Sequence, residues 1–169
     1  DARTQYGVED ADAVLTGAGK AQLSFYDANN TSKYLVDQNG AWSAAQGQDY
    51  MQTILAQYSE ANNNMVELVI ANNDDMALGA IDACTEAGLD KNTMPFIVGV
   101  DATPPALEAL REGTLKGTVR NDAQGLAQSI LDLAVSLSAG TKTPQGIALS
   151  DGCYVWLQYE AVTAEDLAD

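Results

Sequence analysis

The sequence predicts an α/β fold in which a parallel sheet is flanked by helices on both faces. Three observations predict it. Short apolar runs alternate with helical patterns along most of the chain, the connections between them are short, and the runs are almost continuously apolar rather than alternating. Strands buried on both faces read this way, and βαβ crossovers bury them.

Each element has its own signal. A helical opening from Ala2 to about Leu15 meets Gly17-Ala18-Gly19, a stop. Ala21–Tyr26 is a strand candidate, followed by a polar, turn-rich stretch from Asp27 to Gly40. A helix over about Ser43–Tyr58 carries Tyr50, Met51, Ile54, Leu55 and Tyr58 on one stripe. Val66–Ala71 is an apolar strand, and a helix over Asp74–Ala87 closes on Gly88. Phe96–Val100 is the next strand. Thr103-Pro104-Pro105 is an N-cap with proline in the first turn, opening a helix that ends near Gly113. Thr118-Val119 forms a short strand. A longer helix, Asp122–Ser138, carries Leu126, Ile130, Leu131, Ala134 and Leu137 and stops at Gly140. Cys153–Tyr159 is the last strand candidate, with Trp156 inside it as a structural residue and a polar tail beyond.

Composition narrows the function classes. With 8 Lys plus Arg against 24 Asp plus Glu, the 169-residue chain carries a formal charge of −16, which repels nucleic acid and anionic lipid. No apolar run approaches the length of a membrane span. No signal peptide precedes the opening helix, so an upstream start is expected. Histidine is absent, which removes Ser-His-Asp and Cys-His catalysis and histidine-based zinc sites. Cys84 and Cys153 form no CxxC and read as small buried hydrophobes, with a single disulfide as the alternative in an oxidising compartment.

In parallel α/β sheets ligands bind outside the carboxyl ends of the strands. Asn72-Asn73-Asp74-Asp75 follows the Val66 strand, Asp101 follows the Phe96 strand, and Arg120-Asn121-Asp122 follows Thr118-Val119. Helix capping accounts for such residues one loop at a time. Three successive loops of carboxylates and carboxamides on one edge also suit a ligand rich in hydroxyls. A carboxylate accepts from two neighbouring hydroxyls, a carboxamide gives and takes, and an arginine donates as a fork. Arg3, Asn73, Asp101 and Asn121 supply that set, and Trp42 supplies an apolar plate for the C–H face of a pyranose. A phosphate would call for a Gly-rich loop or lysines. Asp37-Gln38-Asn39-Gly40 is too short a fragment of an EF-hand loop. A glycosidase using Asp74 and Asp101 would need a defined separation and one raised pKa.

The segments VELVIANNDDMALGA (66–80), VGVDATPPAL (98–107) and GTVRNDA (117–123), with the Asp1-Ala-Arg-Thr opening and Trp42-Ser-Ala-Ala-Gln, resemble the galactose/glucose-binding branch of the type I periplasmic binding proteins. The resemblance runs over nearly the whole chain. It implies that Arg3 forks onto ring-side hydroxyls, that Trp42 is one of two aromatics sandwiching a pyranose, and that Asn73, Asp101 and Asn121 pair with adjacent hydroxyls. It also implies that Glu67 completes a calcium site in some members, whose calcium loop would lie before Asp1. No other cofactor is implied.

By the same resemblance, residues 1–121 are the later part of a C-terminal sugar-binding lobe. Residues 122–150 are a crossing helix and hinge belonging to an N-terminal lobe, and 151–169 return to the C-terminal lobe. The implied function is that of an extracytoplasmic solute receptor, periplasmic or a cell-surface lipoprotein. It would bind a glucose- or galactose-like monosaccharide by hinge closure, with an ABC-type membrane permease and a chemoreceptor as partners, no nucleic acid and no enzymatic activity. The alternative is the effector-binding domain of a sugar-responsive LacI-type regulator, which an upstream helix-turn-helix would reveal. Two departures stand out: the Asp27–Gly40 connection is long, and Arg120 stands where the family pattern has an apolar residue, so it either points to solvent or adds a cation near the site.

Overall fold

The computed structural model describes residues 2–19, 23, 35–37, 39–141 and 146–167. All of the candidate strand Ala21–Tyr26 but Leu23, and most of the Asp27–Gly40 stretch, therefore lie outside the described residues, as do positions 142–145. The element order is α1 (Ala2–Gly17), α2 (Ala44–Gln57), β1 (Leu68–Ile70), α3 (Asp74–Glu86), β2 (Phe96–Val98), α4 (Pro104–Glu112), β3 (Thr118–Asn121), α5 (Ala123–Ser138) and β4 (Tyr159–Val162), with 3-10 turns at Glu60–Asn62 and Glu165–Leu167.

β1 and β2 pair in parallel, Leu68 opposite Phe96 and Ile70 opposite Val98. β3 runs parallel beside the extension of β2, through hydrogen bonds from Gly99 N to Gly117 O (3.0 Å) and from Asp101 N to Val119 O (2.8 Å). β4 closes the edge antiparallel to β3, Val162 opposite Thr118. The result is a parallel sheet with an antiparallel edge strand, as α/β folds often carry.

The core lies on one face of this sheet. Ile97 is fully buried among Ala77, Ala80 and Cys84 of α3 and Ala106, Ala109 and Leu110 of α4, with Val69 packed against them. Small alanines let α3 sit close to the strands. α2 packs on α3 through a crossing that only glycine permits. A Cβ on Gly79 would overlap the Ala44 carbonyl, and one on Gly47 would overlap the Met76 carbonyl. Gln48 and Gln52 of α2 add hydrogen bonds to the Glu86 carboxylate (2.9 and 3.0 Å). The opposite sheet face is less covered than expected: Ile70 and Phe96 remain exposed, and α1 approaches that side at Ile70, where a Cβ on Gly7 would stand 3.6 Å from Cγ2.

The helix ends follow local chemistry. Ser43 and Asp122 cap α2 and α5 with side-chain oxygens that accept from Gln46 N and Gly125 N. Thr103 occupies the N-cap of α4, but its hydroxyl makes no cap bond. Pro104 and Pro105 remove the first two helical donors, so less remains there for a cap to accept from.

The last strand is corrected. The apolar run at 153–157 is not paired; Ser150 and Tyr154 instead bridge a tight turn with positive φ at Asp151 (52°) and Gly152 (73°). Trp156 lies outside the strand and is 74% exposed, so it is not a core residue. Apolar composition favoured residues 153–159. Pairing with β3 selected Tyr159–Val162, which brings Val162 into the core.

Candidate functional site

The C-terminal edge of the sheet gathers most of the residues singled out from the sequence. Arg3, in the first turn of α1, donates from Nη1 to the Asn72 carbonyl (2.8 Å) and from Nη2 to Asp101 Oδ1 (3.3 Å). Asn121, the last residue of β3, donates from Nδ2 to the same Asp101 oxygen (2.7 Å). This partner fixes the orientation of the Asn121 amide, because a carboxylate only accepts. Both polar groups therefore converge on one carboxylate oxygen. Asp101 Oδ2 takes no protein hydrogen bond among the described residues. The Asn121 Oδ1 is a buried acceptor that meets no donor among the described residues.

Asn72, which the sequence reading passed over as a contact, is what orients Arg3. Its carbonyl takes one arm of the guanidinium, and its Nδ2 donates to Thr4 Oγ1 (2.7 Å), tying α1 to the β1–α3 loop. The next residue, Asn73, is the N-cap of α3: its Oδ1 accepts from Met76 N (2.9 Å). Its Nδ2 donates to the Trp42 carbonyl (2.9 Å). Capping thus explains half of Asn73, while the other half anchors the aromatic loop. Asp101, by contrast, caps nothing, since Thr103 holds the α4 cap position.

Trp42 is held at φ 53°. Besides Asn73, the Asp37 carboxylate fixes it. That carboxylate accepts from Trp42 N (3.1 Å), Ala41 N and Asn39 N (2.6 and 2.9 Å). Desolvation pushes the Asp37 pKa up, but these backbone donors outweigh it and hold the carboxyl below its usual value. The end of the long Asp27–Gly40 connection is thus no EF-hand fragment but a ring of amides around an acid that sets the approach to Trp42.

The other candidates fall away from this edge. Glu67 stands exposed at the opposite end of β1, where its carbonyl accepts from Phe96 N (2.8 Å). Among the described residues no group of three or more acidic or cysteine side chains is arranged to hold a metal, so these residues do not by themselves fit a calcium ion. Arg120 turns away from the site and pairs with Glu160 of β4 (3.0 Å). Asp74 is 0% exposed and makes its bonds inside the fold, so it cannot pair with Asp101 around a scissile bond. Cys84 is buried, as expected; Cys153 is exposed, and both are free thiols.

Two consecutive non-glycine residues, Asp101 and Ala102, have positive φ (119° and 54°). Each such residue costs on the order of 1–3 kcal/mol, and strain of this kind collects at ligand sites.

The family model of the periplasmic binding protein domain matches residues 3–142. The D-galactose/methyl-galactoside binding periplasmic protein of Haemophilus influenzae is 33% identical over 171 residues, covering 100% of this chain and 45% of the relative. An ABC transporter solute binding protein from Bacillus halodurans C-125, solved with bound myo-inositol, is 32% identical with a TM-score of 0.60, covering 75% of this chain and 38% of that one. A periplasmic solute binding protein from Actinobacillus succinogenes, solved with D-allose, reaches a TM-score of 0.60 at 23% identity, over 74% and 38% of the two chains, a likeness of fold. The chain therefore spans about half the length of the curated relatives it matches. Sheet topology, the furnished strand-end edge and these matches lead to one conclusion: this chain belongs to the periplasmic binding protein domain family of type I fold.

Proposed function

We propose that the chain is the later part of an extracytoplasmic monosaccharide receptor, mostly its second lobe, that serves an ABC-type permease and binds its ligand without chemistry. The carrying observation is the Asp101 carboxylate. One oxygen is held by Arg3 and Asn121, and the other takes no hydrogen bond among the described residues. That arrangement presents an acceptor to a hydroxyl, with the Arg3 cation and the Asn121 carboxamide beside it. Arg3, Asn73, Asp101 and Asn121 would address ring hydroxyls, and Trp42 would take an apolar ring face. A glucose- or galactose-like hexose is the favoured ligand, supported by the name of the Haemophilus relative. The myo-inositol in the Bacillus neighbour extends the same chemistry to a cyclic polyol. By the family resemblance, chemoreceptors are further partners.

We further propose that residues 122–150 belong to a first lobe that completes the cleft. α5 supports this: none of its residues is buried, although Leu126, Ile130, Leu131, Val135 and Leu137 make it strongly apolar. Isothermal titration of the full-length protein with hexoses, pentoses and inositols tests the reading. Saturable binding of a hexose is expected; indifference to every sugar in the panel would sink the assignment.

A further inference from the structure

The strained turn that carries Asp101 must be held by something. Its three successive amides are all engaged. Asp101 N–H donates to the Val119 carbonyl (2.8 Å), Ala102 N–H to Thr118 Oγ1 (3.2 Å), and Thr103 N–H to Asp74 Oδ2 (2.7 Å). The Thr118 hydroxyl donates in turn to Asp74 Oδ1 (2.6 Å). Thr118 thus accepts from the turn and donates to the acid at once, which leaves its hydroxyl no rotational freedom. Both side chains lie in the core, Asp74 at 0% and Thr118 at 3% exposure, so water does not compete for these bonds. Asp74 sits in the first turn of α3, where the helix end favours a negative charge. Space for the carboxylate comes from Gly99, since a Cβ there would overlap Asp74 Oδ1.

We infer that Asp74 and Thr118 are positioning residues for ligand recognition. The buried acid on α3 and the hydroxyl on β3 clamp the β2–α4 turn in its positive-φ form, and that form directs Asp101 toward Arg3 and Asn121. Three strand-end loops are thereby registered to one carboxylate. The inference rests on the reading of Asp101 as a ligand contact, so its test separates turn from ligand.

Hydrogen exchange of the Ala102 and Thr103 amides and titration with the sugar panel are measured on full-length protein. The variants are Thr118→Val, Thr118→Ser and Asp74→Asn, with Leu110→Ala as a core control remote from the turn. Thr118→Val should speed exchange at Ala102 by roughly tenfold, the scale of a lost buried hydrogen bond, and weaken sugar binding to a similar degree. Thr118→Ser keeps the hydroxyl and should restore both. Leu110→Ala should lower the melting temperature while leaving affinity unchanged. If Thr118→Val fails to fold, Asp74→Asn supplies the same comparison at Thr103. Unchanged amide exchange overturns the clamp; faster exchange with undiminished affinity overturns its role in recognition. A parent protein that ignores every sugar would sink the receptor reading, and the exchange data would still decide the clamp.

Discussion

Asp101 joins an unfavourable backbone to a carboxylate of which one oxygen is left for a ligand, and the two features can be separated. Asp101→Gly relieves the φ of 119° but removes the charge. Stability should stay within about 1 kcal/mol of the parent, because the pair with Arg3 is only part-buried and still reached by solvent, which screens it. Sugar affinity should fall by more than the ~1 kcal/mol that a lost cap costs. Urea unfolding and calorimetric titration read the two effects independently. The thiols differ just as plainly. Burial pushes the Cys84 pKa up to about 11, while Cys153 is exposed. Ellman's reagent should label one thiol of the folded chain and the second only after denaturation; two fast thiols in the native state would contradict the buried Cys84. Asp37 gives a pH signature. Its folded pKa lies below the ordinary aspartate value of 3.8, so its contribution to loop order is present above that pH and is lost as pH falls through the folded value. In a Trp156→Phe background, Trp42 fluorescence should hold steady from pH 7 to about 5 and change only in the acid range below the carboxylate's ordinary pKa.

At the scale of elements, the α2–α3 crossing sets where Trp42 sits. Gly47 and Gly79 let the two backbones touch, which brings the start of α2 beside the start of α3 and the Trp42 carbonyl within reach of Asn73. Gly79→Ala should therefore destabilise by about 1–3 kcal/mol or more through overpacking. It should also disturb Trp42 fluorescence, since the helices must part. Urea midpoints with an unchanged m-value would attribute the loss to stability alone. By local propensity these glycines are simply poor helix formers inside helices. Their purpose needs the partner helix, which local pattern does not contain. The same limit explains β4: the apolar run at 153–157 is a better strand by composition, yet β3 pairs with Tyr159–Val162.

Over the whole molecule, the core is one-sided. It lies between the sheet and α2, α3 and α4, while α5 presents leucine, isoleucine and valine to solvent along its length. A soluble helix with such a face is partnered in its working form. If the proposed first lobe covers it, this chain alone should bind a fluorescent apolar dye strongly and the full-length protein weakly. The chain alone should also bind sugar at least about tenfold more weakly, having lost the opposite wall of the cleft. Tight sugar binding by this chain in isolation would refute the two-lobe arrangement.

The amino-acid sequence by itself determined the alternation of strands and helices, most helix boundaries and the chemistry of the strand-end edge. These follow from periodicity, caps and residue type, all of which are local. It also supplied Arg3, Asp101 and Asn121, which the structure joins on a single oxygen. Only the tertiary structure decided the division of labour at that edge. Asp74 and Asp75 are adjacent acids in one helix turn, yet Asp74 is buried and clamps the Asp101 turn while Asp75 is exposed. Nothing in their local sequence separates them. The difference arises because β2 and β3, 22 or more residues downstream, deliver a glycine, an amide and a hydroxyl to one of the two carboxylates and not to the other.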